Sequence, residues 1–309
     1  MKRFLAIGEC MVEMAPAEQP GAEAEGGLFR MGFAGDTFNT AWYARRLLPE
    51  DWEVGYASAV GDDALSAAML DFMEQEGVAT ATIRHLPGRT VGLYMIRLDR
   101  GERSFAYWRS AAAARSLADD PAWLEAIFAE RDILFFSGIT LAILSPPARQ
   151  TLCAALGRAR AAGAEVAFDT NLRPRLWQDA AEMRAGLALG ASVASIVLPS
   201  FDEEQGLFGD AKPADTAARY AALGARLVAV KNGPGPIAVH SAESGAQVFK
   251  PVPVLDIVDS TAAGDSFDAG LLAALATGAP LTDAVARAMA LAARVIGAPG
   301  ALARALFPR

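Results

Sequence analysis

Asp259-Ser-Thr-Ala-Ala-Gly-Asp265-Ser-Phe-Asp268 lies between an apolar extended run, Val252 to Val258, and an apolar helical run, Ala269 to Ala276. The small residues Ala262, Ala263 and Gly264 let main-chain amides crowd together at a helix start, where unpaired donors and the helix dipole favour an anion. Such a turn is half of a phosphate site. Asp265 adds a carboxylate beside it, as required of a general base that takes a proton from an attacking hydroxyl. Asp is also a preferred helix cap, and a cap for a helix beginning at Ser266 is the plainer reading. The rest of the chain has to decide between them.

Upstream of this stretch, strands and helices alternate: Phe4 to Gly8, Val54 to Val60, Ile133 to Ser137, Glu165 to Asp169, Ser195 to Leu198 and Arg226 to Lys231 read as buried strands. The turn Gly32 to Thr40 feeds a helix, and Ala64 to Glu76, Pro147 to Ala162 and Ala180 to Leu189 are helical in pattern. Ile237 to His240 with Gln247 to Pro251 reads as a hairpin. Downstream, Ser266 to Thr277 and Leu281 to Ile296 read as helices stopped by Gly278 and Gly297. This alternation predicts an α/β fold with a mostly parallel central sheet and helices on both faces. Between Ala81 and Arg109 the helices stop. Ala81 to His85, Val91 to Leu98 and Ser104 to Trp108, broken at Pro87-Gly88 and Asp99-Arg-Gly101, imply antiparallel strands. With the segment before Met31 they are expected to form a small β layer, about 11–33 and 81–110, acting as a lid. Its outer face would suit a second subunit in a homo-oligomer, a dimer or higher. Without repeats or a long linker, residues 1–309 are expected to form a single domain.

At 309 residues and 53% hydrophobic composition the chain can bury a sizeable core, and its net charge of −8 without a basic cluster argues against nucleic-acid and anionic-membrane partners. Cys10 and Cys153 have neither the spacing of a zinc site nor a disulfide framework around them. The apolar run after Met1 is too short for a signal peptide, and uncharged runs fall short of the ~18–20 residues of a membrane helix. A cytoplasmic protein acting on small molecules is expected.

Polar residues gather where strands end: Ser137-Gly138, Asp169-Thr-Asn171-Leu-Arg173, Lys231-Asn-Gly233 and Asp259 to Asp265. In open α/β sheets this is the ligand-binding edge. Gly233-Pro-Gly235-Pro-Ile-Ala238 is not a dinucleotide fingerprint, because a strand rather than a helix follows it, and no P-loop is present. Glu203, in Ser200-Phe-Asp-Glu-Glu204, could hold magnesium through water, as could Asp202 or Glu204, or the cluster is a solvated acidic helix start. Arg173 carries a planar fork suited to carboxylate or phosphate; its neighbour Arg175 could equally be a surface residue. Tyr94, Tyr107 and Arg109 fall in the β layer, as binding residues or as ordinary sheet packing. The lone His85 and His240 offer no triad or metal set.

Ala34-Gly-Asp-Thr-Phe-Asn39 and Asp259-Ser-Thr-Ala-Ala-Gly-Asp265 resemble the two signatures of the ribokinase-like (PfkB) carbohydrate kinases, one holding the sugar, the other supplying anion hole and base. Within that family, Gly8-Glu-Cys-Met11, Gly35-Asp-Thr37, Gly92-Leu-Tyr94, Tyr107-Trp-Arg109, Ser137 to Ser145 and Arg173-Pro-Arg-Leu-Trp177 are similar to the 2-dehydro-3-deoxygluconate kinase subgroup. The resemblance runs from Gly8 to the C-terminal helix; Ala34, Ser200, Ser260, Pro234 and Pro236 depart from the usual pattern. It implies a ribokinase-like fold, ATP and Mg2+ as cofactors, often a monovalent cation such as K+, and phosphorylation of a sugar acid at O6 with Asp265 as catalytic base. The sugar acid would be surrounded by Gly35, Asp36, Thr37, Asn39, Tyr94, Tyr107, Arg109, Ile139, Arg173 and Asp265. The nucleotide would be lined by Asn171, Arg173, Lys231, Gly233, Gly235, Ala262, Ala263 and Gly264, with Glu203 serving Mg2+ through water and Asp259 the monovalent cation. A neutral-sugar kinase, such as one for fructose, and a non-catalytic sugar-acid sensor are the competing readings.

Overall fold

Phe4, Leu5, Ala6 and Ile7 are all fully buried, although successive side chains of a strand point to opposite faces. A strand can be apolar on both sides only in a sheet that is covered on both sides. The computed structural model of the chain has that architecture, and it describes residues 1–17, 28–99, 102–251, 253–254 and 256–307.

In chain order, β1 (Lys2–Ile7) leads to β2 (Met11–Pro16), β3 (Phe29–Ala34) and α1 (Asp36–Leu47). Then come β4 (Trp52–Val60), α2 (Ala64–Gln75), β5 (Ile83–His85), β6 (Gly92–Asp99) and β7 (Glu102–Trp108). After α3 (Pro121–Phe128) the chain forms β8 (Ile133–Ser137), α4 (Gly138–Ile143), α5 (Pro146–Ala161), β9 (Glu165–Asp169) and α6 (Ala180–Val193). It continues through β10 (Ile196–Val197), α7 (Phe201–Phe208), α8 (Pro213–Ala222) and β11 (Leu227–Val230). The last elements are β12 (Ile237–Ser241), β13 (Gly245–Phe249), α9 (Ala263–Ala276) and α10 (Leu281–Ile296).

The large sheet has the order β13-β12-β11-β10-β9-β8-β1-β4-β5. Every neighbouring pair from β11 to β5 is parallel, and β12 with β13 adds an antiparallel hairpin at one edge. Two cores flank it. Phe4, Phe135 and Ile196 pack with Phe38 and Trp42 of α1, Met69 of α2, Leu271 of α9 and Val285 of α10. On the opposite face Leu5, Phe136 and Phe168 pack with Leu124 of α3, Leu152 of α5, Leu187 of α6 and Tyr220 of α8. The small sheet, ordered β3-β2-β6-β7, stands apart from the large one.

Three expectations change. The run from Ala81 does not join the small layer: β5 pairs parallel with β4 through Ser58↔Ile83 and Val60↔His85, because α2 between them makes a crossover connection long enough for a parallel neighbour. In the small layer the central pair, β2 with β6, is parallel, while the outer pairs are antiparallel. The described residues between 252 and 258 form no strand; the amides of Val258 and Asp259 instead donate to the Ile296 carbonyl at the end of α10. Residues 18–27 of the expected lid, the turn at Arg100-Gly101, and Val252 and Leu255 of the expected extended run lie outside the described residues.

Candidate active site

α9 begins at Ala263, with Ala262 before it in the left-handed region (φ 60°). That conformation costs a residue with a Cβ roughly 1–2 kcal/mol and persists where surrounding structure demands it. The earlier start leaves no capping role for Asp265, the plainer of its two readings, because it lies in the first turn of the helix. Inside α9 the ladder opens with Ser266 N donating to the Ala262 carbonyl at 2.9 Å, so the amides of Gly264 and Asp265 precede it at the positive end of a 14-residue helix.

The Asp265 Oδ2 accepts a hydrogen bond from Asn39 Nδ2 at 2.8 Å, across 226 positions of sequence. The Asn39 Oδ1 in turn accepts from the Gly35 amide at 3.5 Å. The two motifs are therefore one site, assembled because the N-termini of α1 and α9 meet at the carboxyl edge of the sheet. Burial, reinforced by the Asp36 charge, pushes the Asp265 carboxyl up to about 8, against the lowering effect of the Asn39 bond. Burial likewise raises Asp36 above its ordinary value, and Asn171 Nδ2 donates to Asp36 Oδ2 at 2.8 Å. A base must be unprotonated to act. The kcat at saturating sugar, which leaves the binding step out, should therefore climb with pH up to about 8 and level off above it. A profile flat from about pH 6 to 9 would remove Asp265 as the titrating base.

Lys231, expected among the nucleotide-lining residues, is 8% exposed and holds its ammonium between Asp169 Oδ1 and both oxygens of Asp268, each at 3.1 Å. Burial opposes its charge, but the two carboxylates outweigh burial and raise its proton affinity. A Cβ built on Gly264 would lie 3.6 Å from the Lys231 Nζ, so this ion cluster underlies the phosphate turn. Both oxygens of Asp259 are engaged as well: Oδ1 accepts from the amide and hydroxyl of Thr261 (3.0 and 2.7 Å), Oδ2 from the Gly300 amide (2.9 Å). The loop carrying Gly233 and Gly235 is closed by Gly235 N donating to the Asn232 carbonyl at 2.7 Å, with Gly233 at φ 49°.

On the small sheet, Tyr94 faces Tyr107 across the β6–β7 pair, their rings 5.9 Å apart, and the Tyr94 hydroxyl donates to Glu13. Arg109 lies 6.0 Å from the Tyr107 ring and forms an ion pair with Glu9. Arg173 pairs with Glu203 Oε1 at 2.7 Å, and Glu203 Oε2 accepts from the Leu172 amide at 2.9 Å. Ile139, in the first turn of α4, packs against the core on the α3 side of the sheet. Thr37 is buried, its hydroxyl 2.9 Å from that of Tyr56.

The sequence model of the pfkB family carbohydrate kinases matches residues 1–306. The chain belongs to that family. As a pfkB kinase it is 38% identical to the 2-dehydro-3-deoxygluconokinase of Escherichia coli K12 over 97% of both chains. It is 37% identical to the 2-dehydro-3-deoxygluconokinase of Dickeya dadantii over 97% of this chain and 96% of that one. Among solved structures, a putative ribokinase II of E. coli in complex with ATP and Mg2+ is similar with a TM-score of 0.82 and 25% identity, over 97% of this chain and 94% of that one. The ribokinase-like fold, with its large sheet, flanking helices and separate small sheet, is thus common to the family and to this chain.

Four residues of this pfkB site, Glu9, Lys231, Asp169 and Asp268, have partners that the sequence does not announce. Glu9 appeared only inside a motif, and the Lys231–Asp169–Asp268 cluster was not foreseen as a unit. A signal was available: Asp268 sits in an otherwise apolar helix and Lys231 directly after an apolar strand, and charges so placed are seldom buried unless paired. Their pairing, across separations of 62 and 37 positions, is not written in local sequence.

Proposed function

We propose that this pfkB kinase is a cytoplasmic enzyme that transfers the γ-phosphoryl group of ATP to O6 of 2-dehydro-3-deoxy-D-gluconate. The contact between Asn39 and Asp265 carries the chemistry, since it sets a base from one motif against the sugar-holding turn of the other. Asn39 holds Oδ2, and Asp265 takes the proton of the O6 hydroxyl as the O6–P bond forms and the bond to the ADP oxygen breaks. The Gly264 and Asp265 amides, with the helix dipole, receive charge developing on the transferred group. The small sheet, closing as a lid, would exclude water.

Mg2+ carried in with the nucleotide would supply charge neutralisation at the transferred group. The donor set fits that arrangement: among the described residues no three acidic, His or Cys side chains cluster as a metal cage, and Mg2+ commonly takes one or two carboxylates plus phosphates and waters. Glu203, already paired with Arg173, would reach it through water. A monovalent cation beside Asp259 would share that carboxylate with the amides of Thr261 and Gly300. The exposed Met31, Phe105 and Trp108 of the small sheet support a second copy covering it; sedimentation as a monomer would remove that part of the proposal.

The acidic substrate is supported by the Tyr94, Tyr107, Arg109 and Arg173 group and by the identity to the two gluconokinases. One observation favours a neutral sugar: both arginines already hold a carboxylate of the protein. A coupled ADP-release assay over sugar acids and neutral hexoses decides, and turnover of fructose without turnover of the sugar acid would overturn the proposal. Arg109→Ala should raise KM for the acid by at least about tenfold with a smaller effect on kcat; an unchanged KM would take Arg109 out of carboxylate recognition.

A further inference from the structure

Glu9 is a buried acid for which the chemistry above has no use. It follows β1 at the carboxyl edge of the large sheet, while its partner Arg109 follows β7 of the small sheet, so their ion pair joins the two layers. The Glu9 side chain is 0% exposed and that of Arg109 11%. Two glycines admit it. A Cβ on Gly92 would stand 2.8 Å from Glu9 Oε1, and one on Gly35, in the sugar-holding turn, 2.2 Å from the Glu9 carbonyl oxygen.

The pair is only half made. Glu9 Oε2 meets Arg109 Nη2, while Glu9 Oε1 and Arg109 Nε are buried with no hydrogen-bond partner among the described residues. A guanidinium binds a carboxylate best through two parallel N–H bonds, and a buried pair that leaves polar atoms unsatisfied forfeits much of its attraction to desolvation. A ligand carboxylate able to take both Nε and Nη2 therefore outcompetes Glu9 on geometry.

We propose that Glu9 is the resident counter-ion that the substrate's carboxylate displaces from Arg109, so that binding an acidic sugar takes up about one proton at Glu9. This rests on the sugar-acid reading of the site. Displaced, the Glu9 carboxylate would be buried beside Asp36 of α1, with Cys10 next in sequence, Tyr56 of β4 behind it and Arg115 after β7 the remaining cation nearby. Burial already holds its carboxyl above the ordinary value in spite of Arg109, and loss of that counter-ion completes the protonation. A neutral sugar has no group to exchange and leaves the Glu9–Arg109 pair closed. Because binding takes up a proton, affinity for the acid should rise as pH falls, by at most about tenfold per unit.

Calorimetry on the full chain with 2-dehydro-3-deoxygluconate, at one pH in two buffers of different ionisation heat, reads the proton directly. Uptake is expected in the parent and in Asp265→Asn, and its loss in Glu9→Gln. Glu9→Gln should also lower KM for the acid by at least about threefold, with the change falling on KM rather than kcat. Binding of the acid without a buffer-dependent heat in the parent overturns the exchange, and that measurement stands even if the Gln variant fails to fold. A raised KM with uptake intact in Glu9→Gln also overturns it, since Glu9 would then orient Arg109 instead. No binding of the acid, with turnover of a neutral sugar, would overturn the substrate reading itself.

Discussion

Asp265→Asn is expected to lower kcat by at least about 100-fold while leaving sugar binding nearly intact. The substitution keeps a side chain of the same size beside Asn39 Nδ2 and an oxygen to accept from it, so the 2.8 Å contact can persist; what is lost is the ability to take a proton. A folding defect would not mimic this result. The Asp265 carboxyl is raised in the folded protein from an ordinary value of 3.8 to about 8, so the folded state binds that proton more tightly than the unfolded chain. Its contribution to stability is complete below the unfolded value, declines as pH rises through the interval, and is gone above about 8. Asn cannot ionise, so the variant should unfold at higher denaturant than the parent near pH 8 while turning over far more slowly. Near-normal kcat would refute the role of Asp265, and a destabilised variant would refute the cost assigned to its buried charge.

The second large effect is on stability. Lys231→Met leaves Asp169 and Asp268 facing each other without the ammonium that now touches both at 3.1 Å. The aliphatic stem is replaced, but two buried carboxylates lose their counter-ion. Breaking a buried pair in this way typically costs about 3–5 kcal/mol, which should appear as a lower midpoint of denaturant unfolding. Burial already holds the Asp268 carboxyl well above its ordinary value, so adding Asp268→Asn to Lys231→Met should recover part of the loss. A single variant as stable as the parent would show that the cluster does not hold the site together. Because Lys231 lies under Gly264, kcat should fall as well, through misplacement of the amides.

The large sheet could be read from the sequence because its strands are apolar on both faces, as in Ile133–Ser137 with every residue buried, and because helices separate them. The chemistry-bearing turn could be read because few local sequences place three small residues ahead of an Asp at a helix start. What escaped was relational. Ala81 to His85 looks the same in a lid as at the edge of the main sheet, since only its neighbour differs. Asp265 as a cap or as a base differs by three residues in where α9 begins, and boundaries are the least legible feature of a helix. Arg109 could be assigned to a ligand carboxylate because Glu9, 100 positions away, could not be known to lie against it.

The 226 positions between Asn39 and Asp265 also have a temporal meaning. A chain emerging from the ribosome presents its sugar-holding turn early, yet the base arrives only with the penultimate helix. A nascent or C-terminally clipped fragment therefore has no means of moving a phosphoryl group, whatever it binds. Contacts this distant in sequence are slow to form, so regained turnover should be among the last signals to return when the unfolded protein is diluted into buffer.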